Sequence, residues 1–345
     1  MSEKIKQPEL AKHDSSILDL AFIMDCTGSM GSYIDNATES IKMIVEEIVS
    51  LEKSDVKLAL IEYRDNPPQD TTFETRVHDF TGSIKQMRNW LEQCHAQGGG
   101  DEPECVAEAL HAALKLDWRE NATKICILIS DAPPHGINCP GDSFPNGSPN
   151  GIDPIESVIK LAEKSVTLYS VGCEPALLPY KDFFTSLAYR TGGQYVALRN
   201  AKLLAKVIIG GAVEEISLEK LMDEVQEEVQ KKKQEGIQDE KLLAEAVESR
   251  LKSKGVITNQ ILLNNSSIEK ASDDAINYSK IKNLKKIREN FKPKFENCEK
   301  NISFSLLSSD MVEAPKIEYS IGKSDISYAQ SERLVQKALN RSKKH

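Results

Sequence analysis

The chain has 345 residues, too many for one typical domain and about right for one large domain with an accessory region. With 40% hydrophobic and 28% charged residues it has the makeup of a soluble globular protein that can build a core without disulfides or structural metals. A formal net charge of −9 argues against a general nucleic-acid or anionic-membrane surface, because such surfaces attract basic faces.

The opening residues, MSEKIKQPELAKHDSS, are polar and lack the apolar run of a signal peptide. No apolar stretch is long enough to insert into a membrane. The seven cysteines (Cys26, Cys94, Cys105, Cys126, Cys139, Cys173 and Cys298) are odd in number, scattered and free of CxxC pairs. They predict reduced, mostly buried thiols and a cytoplasmic protein.

From Leu18 to Leu198 short apolar runs alternate with stretches of helical period. Leu18–Met24 is apolar apart from Asp19, as a strand buried on both faces is. Ser32–Leu51 sets Ile34, Ala37, Ile41, Ile44, Val45 and Ile48 on one stripe and predicts an amphipathic helix. Val56–Tyr63 and Thr71–Phe80 are predicted as a pair of strands. Ser83–Cys94 and Pro103–Leu116 are predicted as helices, the second opened by Pro103 with acidic neighbours. Lys124–Ser130 is the most strand-like run of the chain. Ile155–Lys164 is a predicted helix, Val166–Val171 a strand, Tyr180–Arg190 a helix, Gln194–Leu198 a strand and Ala201–Glu215 a closing helix. This order implies a doubly wound α/β unit over residues 16–212, with a mostly parallel six-stranded sheet and one antiparallel edge strand.

The composition changes after Glu214. Residues 213–255 are dense in Glu, Lys, Gln and Leu, with one stripe at Leu218, Leu221, Val225 and Val229 and another at Leu242, Leu243, Ala246, Val247 and Leu251. They predict a helical hairpin or short coiled coil that either packs back on the domain or joins chains. Residues 256–345 are rich in Asn, Ser and Lys, with weak helices at Ile268–Phe291 and Ser327–Lys343. Partial disorder is expected over the last fifty residues, which end in the basic cluster Arg341–His345.

In such sheets ligands gather at the carboxyl ends of the strands. There Leu18–Met24 runs into Asp25-Cys26-Thr27-Gly28-Ser29, three oxygen-bearing side chains at alternate positions. Lys124–Ser130 runs into Asp131 and the turn Ala132-Pro133-Pro134. A third oxygen group, Gly98-Gly99-Gly100-Asp101-Glu102-Pro103-Glu104, opens a helix. Carboxylates and hydroxyls are the ligands of hard cations such as Mg²⁺. Arg64 and Asp65 are expected either to support the site or to form a solvated turn, and His135 to lie in a surface loop. A zinc site of His135, Cys139 and Asp142 fits no usual spacing.

Together these segments resemble the metal-ion-dependent adhesion site of von Willebrand factor A (vWA) domains. The motifs are most similar to those of intracellular protist vWA domains, some of them joined to alpha-kinases. The resemblance covers residues 16–212. It implies Asp25, Thr27 and Ser29 as the first ligand group, Asp131 as the last, and Asp101 as the middle ligand where integrin-type domains have a Thr. It further implies a bound Mg²⁺ (or Mn²⁺ or Ca²⁺) whose open position takes a Glu or Asp from a protein partner. The expected function is therefore a metal-dependent adhesion or scaffold module, not an enzyme. The alternative, a metal-dependent phosphohydrolase using Asp25, lacks the second Asp of an Asp-x-Asp motif, where Thr27 stands.

Overall fold

The computed structural model describes residues 14–52, 55–295 and 317–342. Its main sheet has six strands: β1 (Asp14–Asp25), β2 (Asp55–Tyr63), β3 (Thr75–Thr81), β4 (Ala122–Ser130), β5 (Val166–Cys173) and β6 (Tyr195–Leu198). They lie in the order β3-β2-β1-β4-β5-β6, all parallel except the edge strand β3. This is the mixed α/β sheet that the order of elements predicts.

Alternation along β1 sends its side chains to two cores. Leu18, Leu20, Phe22 and Met24 meet helices α1 (Gly31–Glu52), α2 (Ile84–Gln93) and α6 (Leu204–Glu219). Ala21 and Ile23 face α3 (Val106–Ala113), α4 (Pro154–Glu163) and α5 (Lys181–Arg190). The predicted stripe of α1 is buried throughout, from Ile34 to Ile48. Each such aliphatic side chain contributes about 1.5–3 kcal/mol relative to exposure. Asp19, the one charge in the β1 run, is buried and held by Arg119, with Nε 2.7 Å from Oδ1.

The tail differs from its expected form. Two helices, α7 (Met222–Gln234) and α8 (Glu240–Ser253), do occupy the charged region. Residues 256–345, expected to hold only weak helices, also supply a three-stranded antiparallel sheet, β8-β7-β9. It is made of β7 (Ile257–Leu263), β8 (Ser266–Ser267) and β9 (Tyr319–Asp325). The predicted helix over 268–291 is two short ones, α9 (Asp273–Ser279) and α10 (Leu284–Arg288), and the last helix is α11 (Tyr328–Arg341). Of the last fifty residues, 317–342 are thus ordered elements, while 296–316 and 343–345 lie outside the described residues. Arg341, expected in a basic terminal cluster, is buried against Glu219.

Helix α6 is buried nearly all round. A Cβ on Gly210 would stand 2.9 Å from Ile261 of β7, and one on Gly211 3.1 Å from Tyr169 of β5. Two adjacent glycines cost a helix interior about 1 kcal/mol each relative to Ala. Here they admit the main sheet on one side and the tail sheet on another. Most of the apolar stripes of α7 and α8 pack with Leu334, Val335 and Ala338 of α11 in a third core, while Leu242, expected in the second stripe, is exposed.

Candidate metal centre

Asp25 ends β1, Tyr63 ends β2 and Ser130 ends β4. The chain leaves β1 toward β2 on one side, and β4 lies on the other. The crevice where strand order reverses therefore opens above Asp25 and Asp131. Thr27 donates to Asp25 Oδ1 through its backbone N at 2.9 Å and its hydroxyl at 2.7 Å. The other carboxylate oxygen, Oδ2, is buried without a hydrogen-bond partner. The Ser29 hydroxyl stands close enough to Asp131 to favour its ionised form, against the burial that raises it. Ser29 is exposed and Asp131 half-buried, so this edge of the group faces solvent. Burial, then repulsion from Asp131, pushes the Asp25 carboxyl up to about 7. Asp25, Thr27, Ser29 and Asp131 thus come together.

A residue not singled out from the sequence stands near enough to feel the charges of Asp25 and Asp131. Glu104 sits in an extended bridge to Pro134, its N donating to Pro133 O at 2.9 Å. The next residue donates from Cys105 N to Arg64 O at 2.8 Å. These bonds hold the chain extended, so α3 starts at Val106 and not at Pro103. Glu104 is buried and its Oε2 has no partner. Burial raises its carboxyl to about 11, and the charges of Asp25, Asp65, Asp131 and Asp101 add to the rise, Asp25 foremost among them. Gly99 adopts φ +86°, and a Cβ there would lie 2.7 Å from Glu104 Oε1 and 3.6 Å from the Thr27 Cβ. Only glycine lets the loop pass between these two side chains.

Asp101, expected as the middle ligand, has ligand atoms within 4.8 Å of Asp65 and His135. Its Oδ2 accepts from Ser143 N at 2.6 Å. His135 is not a surface-loop residue but is buried, with Nε2 2.8 Å from Asp65 Oδ1 and Nδ1 2.8 Å from Asp142 Oδ1. Those carboxylates outweigh desolvation and raise the imidazole to about 9. Arg64 and Asp65 are likewise buried, not a solvated turn. Arg64 spends its donors on Cys26 O at 3.2 Å, His95 O at 2.6 Å and the Thr72 hydroxyl at 2.8 Å. It therefore clamps the first loop to the glycine loop.

Those two loops are also joined covalently. Cys26 and Cys94 form a disulfide with Cα atoms 6.6 Å apart, which corrects the reading of every cysteine as a reduced thiol. The glycine loop folds back on the β1 loop, with Gln97 N donating to Cys26 O at 3.1 Å and Gly28 N to Gly98 O at 3.3 Å. A separation of 68 residues gave no sign of this approach. Cys105, Cys126, Cys139 and Cys173 are free and buried, and Cys298 lies outside the described residues.

The donors of the first group are carboxylates and hydroxyls. Two buried carboxylate oxygens, Asp25 Oδ2 and Glu104 Oε2, await a partner. That set fits a hard divalent cation.

A mostly parallel α/β sheet with an oxygen-lined crevice at its switch point is a doubly wound fold with a ligand-type crevice. Residues 19–139 match the family described as von Willebrand factor A domain, and the chain contains such a domain. It is 35% identical over 155 residues to the alpha-protein kinase vwkA of Dictyostelium discoideum, covering 44% of this chain and 24% of that protein. It is 28% identical over 204 residues to a putative ariadne-like RING finger protein, R811, of Acanthamoeba polyphaga mimivirus, covering 57% of this chain and 20% of that one. The chain thus spans a quarter or less of the length of these relatives. Among solved structures, a von Willebrand factor type A protein from Catenulispora acidiphila aligns with a TM-score of 0.41 and 16% identity, over 59% of this chain and 43% of that one.

Proposed function

We propose that this chain is a divalent-metal-dependent protein-binding module, an adhesion or scaffold unit that captures a carboxylate of a protein partner. Asp25, Thr27, Ser29 and Asp131 hold the cation, Mg²⁺ or in its place Mn²⁺ or Ca²⁺. Glu104 takes the middle position expected for Asp101. The observation that carries this reading is the pair of buried, unpartnered oxygens on Asp25 and Glu104, beside Asp131 at the switch point. Left without a counter-charge, buried carboxylates protonate, and a cation removes that need. The bound ion supplies a Lewis-acidic position at the exposed Ser29 edge, where a Glu or Asp of the partner docks. Three carboxylates hold the ion firmly and leave it a milder acceptor than a site with two.

The phosphohydrolase alternative finds less support. Thr27 stands where such an enzyme needs the second acid of an Asp-x-Asp motif, and its donors are spent on Asp25 Oδ1. The relatives named above include an alpha-kinase, yet catalysis is not part of this proposal. A nucleic acid is no partner in this reading, given the net charge of −9. Among the described residues no helix is long and apolar enough to cross a membrane. Assembly through residues 214–254 has a competitor inside the chain, since α11 already covers most of their apolar stripes and leaves Leu242 exposed. A cytoplasmic setting is proposed with this function. Disulfides are rare there, so trapping the thiols of fresh cell extracts by alkylation tests it through the state of Cys26 and Cys94.

The function is tested by titrating Mg²⁺ into the chelator-stripped chain and by capture on a carboxylate-bearing partner with and without chelator. Asp25→Ala and Asp131→Ala should each abolish Mg²⁺-dependent capture with the circular dichroism spectrum unchanged. Capture by either variant equal to the parent's, or metal-dependent turnover of p-nitrophenyl phosphate, rejects the proposal.

A further inference from the structure

Beside the first group stands a second cluster with different donors. One ligand atom each of Asp65, Asp101 and His135 lies within 4.8 Å of the others. We propose that Asp65, Asp101 and His135 bind a second divalent cation, of the zinc class, at a site distinct from that of Asp25.

Three features support the assignment. The first is unspent ligand capacity. Asp65 is fully buried, yet its Oδ2 has no hydrogen-bond partner, and the same holds for the buried Oδ1 of Asp101. Asp101 also stands close enough to Asp65 to disfavour its ionised form. Without a metal the His135 imidazolium supplies the positive charge beside Asp65, and a cation bound here displaces the Nε2 proton and reaches Asp101 as well.

The second feature is the way the imidazole is aimed. Asp142 Oδ1 lies 2.8 Å from His135 Nδ1, and Asp142 is itself held by Gly136 N at 2.7 Å and Phe144 N at 2.8 Å. A carboxylate on the far nitrogen of a ligating histidine fixes its tautomer and orientation, so Nε2 is presented to the cluster. Nε2 now lies 2.8 Å from Asp65 Oδ1. In a tetrahedral zinc site, ligand atoms stand about 3.3 Å apart, so this pair opens by about half an ångström.

The third feature is access and selectivity. Asp101 is half-buried while Asp65 and His135 are buried, so the cluster is reached from the Asp101 side, where a water would enter as the fourth ligand of a zinc ion. One imidazole nitrogen with two carboxylate oxygens suits Zn²⁺ better than Mg²⁺, which prefers oxygen alone. The two sites therefore differ in the ion they select.

The test uses the full chain carrying Asp25→Asn, stripped with chelator and dialysed against Zn²⁺ or Co²⁺. One equivalent of zinc per chain is expected, and Co²⁺ should show the visible absorption of a four-coordinate nitrogen–oxygen site. Adding His135→Gln should remove both signals. Asp101→Asn should do the same and guards against misfolding, since this residue lies at the mouth. Asp142→Asn should weaken zinc binding by about 10–100-fold while keeping the absorption band. No zinc equivalent in the stripped Asp25→Asn chain overturns the proposal, as does unchanged zinc affinity in folded Asp101→Asn. Loss of Mg²⁺-dependent capture with zinc binding intact bears on the Asp25 site alone, so the two readings fail separately.

Discussion

Arg333→Met should destabilise the chain by about 3 kcal/mol, because α11 is joined to α6 through buried charge. Three bases meet three acids there. Arg333 lies 3.2 Å from both Glu214 and Glu215, Lys337 bonds Glu215 and lies 2.7 Å from Glu219, and Arg341 lies 2.8 Å from Glu219. Arg333 also donates to Gly192 O at 3.0 Å and to the Tyr169 hydroxyl at 2.5 Å. Methionine preserves most of the stem and removes the charge. Breaking one partner of a buried pair costs about 3–5 kcal/mol. The lower end applies because Gln330 and Gln194 still donate to Glu214, and Thr167 and Lys337 to Glu215. With a urea slope of about 3 kcal/mol/M, the midpoint followed by circular dichroism should fall by about 1 M. Adding Glu214→Gln should recover part of the loss, since removing both charges of a buried pair is often neutral. A shift below about 0.3 M, the size expected of a surface pair, would show that the network is solvated and the reasoning wrong.

Gly99→Ala should weaken Mg²⁺ binding measured by calorimetry, because the left-handed backbone costs about 1–2 kcal/mol and the new methyl meets Glu104. Unchanged affinity would remove Glu104 from the site. The cation-free chain should lose stability as pH rises from about 4 to about 7. Asp25, raised from 3.8 to about 7, holds its proton in the folded state after the unfolded state has lost it, and the slope is therefore negative. Saturating Mg²⁺ or Asp25→Asn should flatten this part of the profile, and a slope that survives both points to other groups. Peptide mapping without reductant should recover Cys26 and Cys94 in one cross-linked fragment. Reduction should cost up to about 4 kcal/mol, the chain-entropy value for a loop closed across 68 residues. An unchanged urea midpoint in dithiothreitol contradicts this.

The main sheet was legible because its signals are local. Each strand of β1, β4 and β5 is an apolar run short enough to exclude a helix, and α1 carries one unbroken stripe. The tail sheet was not legible, because β7 pairs with β9 across more than fifty residues, and both strands carry Asn, Ser, Gly or Lys. Their burial comes from α6, whose Gly210 makes room for Ile261, a contact that no periodicity encodes. The same contact bears on the domain's edge. The sequence predicts Ala201–Glu215 as the closing helix of a unit over residues 16–212, whereas α6 is covered on its other faces by β7, β9 and α11.

The candidate site divides along the same line between local and long-range order. Asp25 and Asp131 follow directly from buried strands, so their place at the carboxyl edge could be read from the chain alone. Which acid of the run Asp101-Glu102-Pro103-Glu104 turns inward is decided elsewhere. The bridge from Glu104 to Pro134 and the bond from Cys105 N to Arg64 O fix the backbone, and that places Glu104 against Asp25 while Asp101 faces Asp65 and His135. Glu104 feels acids of both groups, so a cation beside Asp25 relieves the repulsion that reaches it from that side, and a cation beside Asp65 relieves the rest. Filling one site lowers the charge that draws an ion to the other. The two sites, if both are filled, therefore oppose each other modestly through Glu104, and Glu104→Gln should weaken that opposition as well as the hold on Mg²⁺.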